Sequence, residues 1–79
     1  MDTVEDKVLD IVSYHFCVGK DGLSRDKEFG KDLKSDTLDR IETIISIEDE
    51  FGILISETDS DNVRSIGDLI DLVKKKTEM

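Results

Sequence analysis

The segment Ser35-Asp36-Thr37-Leu38-Asp39 sets one hydroxyl, Thr37, between two aspartates where an apolar and acidic helical pattern begins. A side-chain oxygen at such a place lies near free backbone N–H groups and the positive end of the helix dipole, where a phosphate or phosphodiester is well tolerated. Asp36 can cap the helix through its carboxylate, and Asp39 sits three residues on, in the position from which an acid reaches back to the cap. Local physics leaves two readings open. One is a point from which a phosphorylated arm can hang, and the other is a plain capping sequence, because Ser, Asp and Thr are ordinary residues at helix starts.

Other candidates for chemistry are weaker. His15 falls on the polar side or edge of its helix with only Cys17 nearby, so a metal site lacks ligands. Asp59-Ser60-Asp61-Asn62 has the acids of a calcium loop but lacks the glycine and distal glutamate at the required spacing. Cys17, beside Val12, Phe16 and Val18, reads as a buried small hydrophobe. No nucleophile and base can be paired, which argues against an enzyme.

The elements that must position Thr37 read as all-helical. Val4, Val8, Ile11, Val12 and Phe16 recur at helical spacing and predict a first helix from about Thr3 to Cys17, capped by Thr3 or Asp2. Gly19 and Gly22 break that pattern, and Val18 to Ser35 forms a long loop pinned by Leu23, Phe29 and Leu33. A second helix begins near Asp36 with an apolar stripe of Leu38, Ile41, Ile44, Ile45, Ile47 and Phe51, and stops at Gly52. Asp39, Arg40, Glu42, Thr43, Ser46, Asp49 and Glu50 fall mostly off that stripe. Residues 57–63 hold a helical turn, and a last helix runs from Ser65 through Ile66, Leu69, Ile70 and Val73 to Lys74, Lys75 and Lys76. Gly52 to Ser56 has strand propensity but no second strand to pair with, so it is expected to be an extended loop. The expected architecture is a small bundle of three main helices and one short helix with a long first loop, in a single domain over residues 1–79.

Composition narrows the function. A chain of 79 residues buries too little apolar surface for a large catalytic cleft as well as a core. Its net charge of −9, from 20 acidic and 11 basic side chains, repels nucleic acid and anionic lipid and favours encounters with basic patches on other proteins. A lone cysteine and the lack of any long apolar run suit a reducing, cytoplasmic setting away from the membrane. A monomer is expected, since the apolar stripes are no wider than a small bundle needs.

From Phe29 to Phe51 the run FGKDLKSDTLDRIETIISIEDEF resembles the loop and recognition helix of acyl carrier proteins, in which a D-S-L motif precedes an apolar and acidic helix ending E-E-F. ILISETDSDNVRSIGDLIDLV continues in the same register, like the family's short third helix and the start of its last helix, and the resemblance spans about the full domain. Asp36, Thr37 and Leu38 match D-S-L. The resemblance implies covalent 4′-phosphopantetheine, placed on the hydroxyl of position 37 by a carrier protein synthase. Acyl intermediates of fatty acid, lipid or related specialised biosynthesis would then ride on the arm as thioesters. It also implies that the chain is no enzyme, and that Asp36, Asp39, Glu42, Glu48, Asp49 and Glu50 are a handle for the synthase and for acyl-transfer or biosynthetic enzymes with basic patches. An acyl pocket is implied at Ile45, Ile47, Ile55, Val63 and Leu69.

Several positions depart from the family. Thr37 replaces serine, and its extra methyl restricts χ1 and crowds the hydroxyl. This fits a carrier that uses threonine, a degenerate carrier that keeps only fold and surface, or a serine replaced by design. Lys34 replaces a common loop glycine, Arg40 adds a positive charge to a face usually acidic or neutral, Leu69 fills a position often small, and Leu54 stands where a polar residue is common. The alternative function is a carrier-like interaction module that lacks the prosthetic group and binds basic partners through its acidic second helix. Because crowded carboxylates repel one another, added salt or divalent cations are expected to raise the melting temperature. A melting temperature that ignores both overturns this expectation.

Overall fold

The computed structural model describes residues 3–33 and 36–77, with the side chains of Thr3 and Thr37 outside the description. The expected cap at Asp2 and the Lys34 substitution therefore lie outside the described residues. The chain forms α1 (Thr3–Phe16), a 3-10 turn (Lys20–Gly22), α2 (Thr37–Phe51), the short α3 (Glu57–Asp61) and α4 (Ile66–Thr77). This is the expected bundle of three main helices and one short one. Among the described residues the only β pairing is an isolated antiparallel bridge between Glu28 and Ser65.

Val8 and Val12, four residues apart on α1, are fully buried, with Val4, Leu9, Ile11 and Phe16 packed beside them. α1 lies against both α2 and α4. Its C-terminus closes in a left-handed turn: Cys17 has φ 56°, and the Val18 N–H donates to the Ser13 carbonyl at 3.2 Å. That geometry directs Val18 back onto the core and leaves Cys17 exposed, which corrects the sequence expectation of a buried thiol. α2 ends in the same way. Gly52 at φ 65° donates to the Glu48 carbonyl at 2.8 Å, and Ile53 donates to that same carbonyl at 3.2 Å.

The long first loop is pinned through Leu23 and Phe29, both buried, with Leu33 partly so. Backbone bonds then fasten it to the start of α4. The Ile66 N–H donates to the Lys27 carbonyl at 2.9 Å and the Gly67 N–H to the Arg25 carbonyl at 2.8 Å. Ser65 and Asp68 complete the cap, with Asp68 N–H donating to Ser65 Oγ at 3.1 Å and the Asp68 carboxylate accepting from the Arg64 and Ser65 amides. The Arg25 side chain meets Asp71 with two bonds of 2.8 and 2.9 Å, a surface clasp that adds little by itself.

Ile47, Ile66, Leu69, Ile70 and Val73 join Val8 and Val12 at the centre of the core, with Ile55 and Val63 closing its edge. Gly67 is buried where the loop crosses α4, and a Cβ there would stand 3.0 Å from the Arg25 carbonyl oxygen and 3.2 Å from Arg25 Cβ. Helix propensity favours alanine over glycine by up to about 1 kcal/mol. The contact opposes it, because the obstructing atom is backbone held by a hydrogen bond, and overpacking typically costs about 1 to 3 kcal/mol. Gly67→Ala is therefore expected to lower the urea midpoint, whereas a more stable variant would show that the loop yields freely.

Candidate functional site

Position 37 is the first residue of α2. The turn before it is capped without the hydroxyl: Asp36 is extended at φ −100°, its carboxylate accepts the Asp39 N–H at 2.8 Å, and the Asp39 carboxylate accepts the Asp36 N–H at 3.4 Å. The aspartates thus form the reciprocal box that the spacing predicts. Asp36 and Leu38 are exposed, so the backbone at position 37 is flanked by solvent-accessible residues.

Helical periodicity divides α2 into three faces, and this division differs from the sequence reading. Toward the core lie Thr43 and Ile47, both buried, with Ile44 and Phe51 partly buried. Thr43 faces inward because its Oγ1 donates to the Asp39 carbonyl at 2.8 Å, which satisfies the hydroxyl inside the helix itself. Toward α1, Ser46 Oγ meets His15 Nε2 at 2.7 Å and Glu50 pairs with Lys7 at 3.1 Å. The third face points outward and carries Leu38, Ile41 and Ile45, exposed at 61%, 49% and 50%, beside exposed Glu42 and Asp49. The expected core stripe was too broad, since Leu38, Ile41 and Ile45 form a separate ridge at spacings of three and four.

The six acids expected to act as one handle are likewise divided. Asp36 and Asp39 form the cap, Glu48 accepts the Ile55 N–H at 2.8 Å, and Glu50 leans toward α1. Glu42 and Asp49 flank the outward ridge. Arg40 was expected on the acidic face, but its Nη2 donates to the carbonyls of Ser60 at 2.8 Å and Val63 at 2.9 Å, bridging α2 to the end of α3. Leu54 is exposed at 84%.

A small cavity lies between α2, the first loop and the start of α4, lined by Phe29, Arg40, Thr43, Ile44, Val63 and Leu69. It leaves about 10 Å³ for the centre of a water-sized sphere, close to the minimum that one water requires. Of the five pocket residues expected from the resemblance, Val63 and Leu69 line it. Ile47 and Ile55 are core residues outside its lining, and half-exposed Ile45 is on the outward ridge, its place at the wall taken by the neighbouring Ile44. Phe29 and Thr43 were not foreseen at this cavity; the inward hydroxyl could have been anticipated only from its bond to the carbonyl four residues back. Among the described residues, no group of three or more His, Cys, Asp or Glu side chains is placed to hold a metal. Among those residues, too, no helix is long and apolar enough to cross a membrane.

A capped second helix that begins at position 37, an outward apolar and acidic face, and a small cavity bordered by the residues just after a short helix define a carrier-type domain. No family model matches the chain. Over 73 residues it is 34% identical to an acyl carrier protein of Chlorobium phaeovibrioides, covering 92% of this chain and 94% of the relative. It is 30% identical to one of Lactobacillus acidophilus, covering 92% and 91%. A solved Mycobacterium tuberculosis structure assigned to the acyl carrier proteins superposes with a TM-score of 0.87 at 26% identity, covering 92% of this chain and 97% of that one. The chain belongs to the acyl carrier protein family, whose members are carriers and not enzymes.

The short α3 makes a titratable contact with the last turn of α4. The Asp59 carboxylate is held below its ordinary value of 3.8, first by its bond to Lys76 and then by Ser56. Lys76 Nζ lies 3.0 Å away. Because the folded value is lowered, this contact adds stability above the ordinary carboxylate range and loses it as pH falls through the folded value. Asp59→Asn is expected to flatten the fall in melting temperature on acidification below about pH 4. An unchanged acid limb would rule out a contribution from this pair.

Proposed function

We propose that position 37 carries 4′-phosphopantetheine and that the chain tethers acyl intermediates in fatty acid, lipid or related specialised biosynthesis. The observation that carries this reading is the placement of position 37 at the head of α2, one turn before Arg40 and two before Ile44, both of which line the cavity. The fit of the arm is supported by the cap. Asp36 and Asp39 satisfy one another's amides, so a phosphodiester at position 37 would displace no part of the box.

When bound, the arm supplies a thiol that holds the acyl group as a thioester. The chain's own residues do the rest. Asp36 and Asp39 keep the first turn of α2 intact beside the attachment position. Leu38, Ile41 and Ile45, with Glu42 and Asp49, offer a surface for a synthase or an acyl-transfer enzyme whose own site combines an apolar groove with basic residues. A tether of this kind raises the effective concentration of its cargo at each partner in turn. We read residues 1–79 as one such domain, monomeric and cytoplasmic.

The second reading is an interaction module without the arm. It draws on Thr37 itself and on the outward ridge, which needs no prosthetic group to dock. An intact-mass measurement separates the two: the purified protein and its Thr37→Ser variant are each incubated with coenzyme A and a permissive carrier protein synthase. A gain of one phosphopantetheine on both supports a threonine-linked carrier. Gain on the serine form alone would mean a carrier scaffold blocked at its present residue, and gain on neither would favour the interaction module.

A further inference from the structure

α3 buries none of its residues, so its own side chains supply little apolar grip on the domain. Polar contacts fasten it. The Glu48 carboxylate accepts the Ile55 N–H just before it at 2.8 Å, Lys76 of α4 pairs with Asp59 at 3.0 Å, and Arg40 donates to the Ser60 and Val63 carbonyls at 2.8 and 2.9 Å. The Arg40 contact differs from the other two in its surroundings. Arg40 and Val63 both line the cavity, so the bond between them spans part of the cavity wall.

We infer that Arg40 is a latch that holds the segment from Ser60 to Val63 against α2 at the cavity wall, and that it sets the length of acyl chain the cavity admits. The latch follows from geometry alone, whereas its effect on cargo rests on the carrier reading above. A guanidinium suits the task because one planar cation can serve two carbonyls, and a charged donor forms a stronger bond than a neutral one. Position 37 precedes Arg40 by one helical turn, so a group tethered there meets Arg40 before it meets Ile44 and the cavity. With the latch closed the space is about that of one water, and Leu69 is among the residues that line it. An aliphatic chain therefore enters only when the Ser60 and Val63 carbonyls move away from Arg40. Short or polar cargo is handled in the closed state, and long cargo remains outside.

Two substitutions isolate the guanidinium. Arg40→Met keeps an apolar stem without the donor, and Arg40→Lys keeps a cation without the planar fork. Native-state hydrogen exchange is read at the Ser60, Asn62 and Val63 amides, which bond within and just after α3, with Leu69, Ile70 and Val73 as internal controls in α4. Arg40→Met is expected to speed exchange in the first group by about tenfold or more while leaving the controls unchanged, and Arg40→Lys is expected to fall between it and the parent. The second readout titrates free S-octanoyl-N-acetylcysteamine, a thioester that needs no attachment at Thr37, and follows the methyl signals of Ile44, Val63 and Leu69. Binding to Arg40→Met at least about tenfold tighter than to the parent supports the gate. Unchanged α3 exchange overturns the latch, and faster exchange without tighter thioester binding overturns the control of cargo. Failure of Thr37→Ser to accept the arm would overturn the carrier reading and leave both of these results standing.

Discussion

The amides that open α4 must find acceptors, and the first loop provides them. Lys27 and Arg25 offer their carbonyls to Ile66 and Gly67, while Phe29 returns its N–H to Arg64. A buried helix start without such partners would lose the full hydration of its amides. This short stretch of paired backbone fixes the long loop across the bundle, requires a residue without a side chain at position 67, and holds Phe29 where it can line the cavity and touch Phe16, with ring centroids 5.9 Å apart. It joins the first loop to the last helix in a chain that has no disulfide to do so.

With the loop in place, α2 is committed on two sides and free on the third. One side meets α1 through Ser46 and Glu50, another meets α3 and the core through Arg40, Thr43, Ile44, Ile47 and Glu48, and the remaining face keeps Leu38, Ile41 and Ile45 in solvent. Apolar residues left half or more exposed in a row add less to the monomer than core residues do, and such a ridge is suited to contact with another surface. The helix that begins at position 37 is therefore also the one that presents an exposed apolar and acidic face.

Polar contacts handle the parts of the fold that must yield. α1 and α4 are locked by full burial of Val8, Val12, Ile70 and Val73, whereas α3 is held by Arg40, Glu48 and Lys76. Burial of several aliphatic side chains is worth many times a single exposed ion pair, which separates a rigid frame from a segment that opens at lower cost. The acidic surplus is similarly divided: some carboxylates cap or clasp the fold, and Glu42 and Asp49 on the outward face of α2 stay exposed.

The sequence alone determined the helices and their limits. Apolar spacing places α1, α2 and α4, Asp36 and Asp39 announce the cap, and Gly52 announces the end, because each of these depends on contacts within a few residues. The motif around Thr37 and its register with the following helix were legible for the same reason, and they sufficed to indicate the family. Only the tertiary structure decided which way each side chain of α2 faces. A run as rich in isoleucine as this one fits several rotations about the helix axis, and the choice is made by α1, α3 and the core together. Arg40 could not be assigned from its neighbours, since its acceptors lie twenty or more positions later, nor could Cys17, whose exposure follows from a left-handed turn. Local interactions are written in adjacent residues, but the partners of a long side chain and the space left beside it exist only once distant segments are packed.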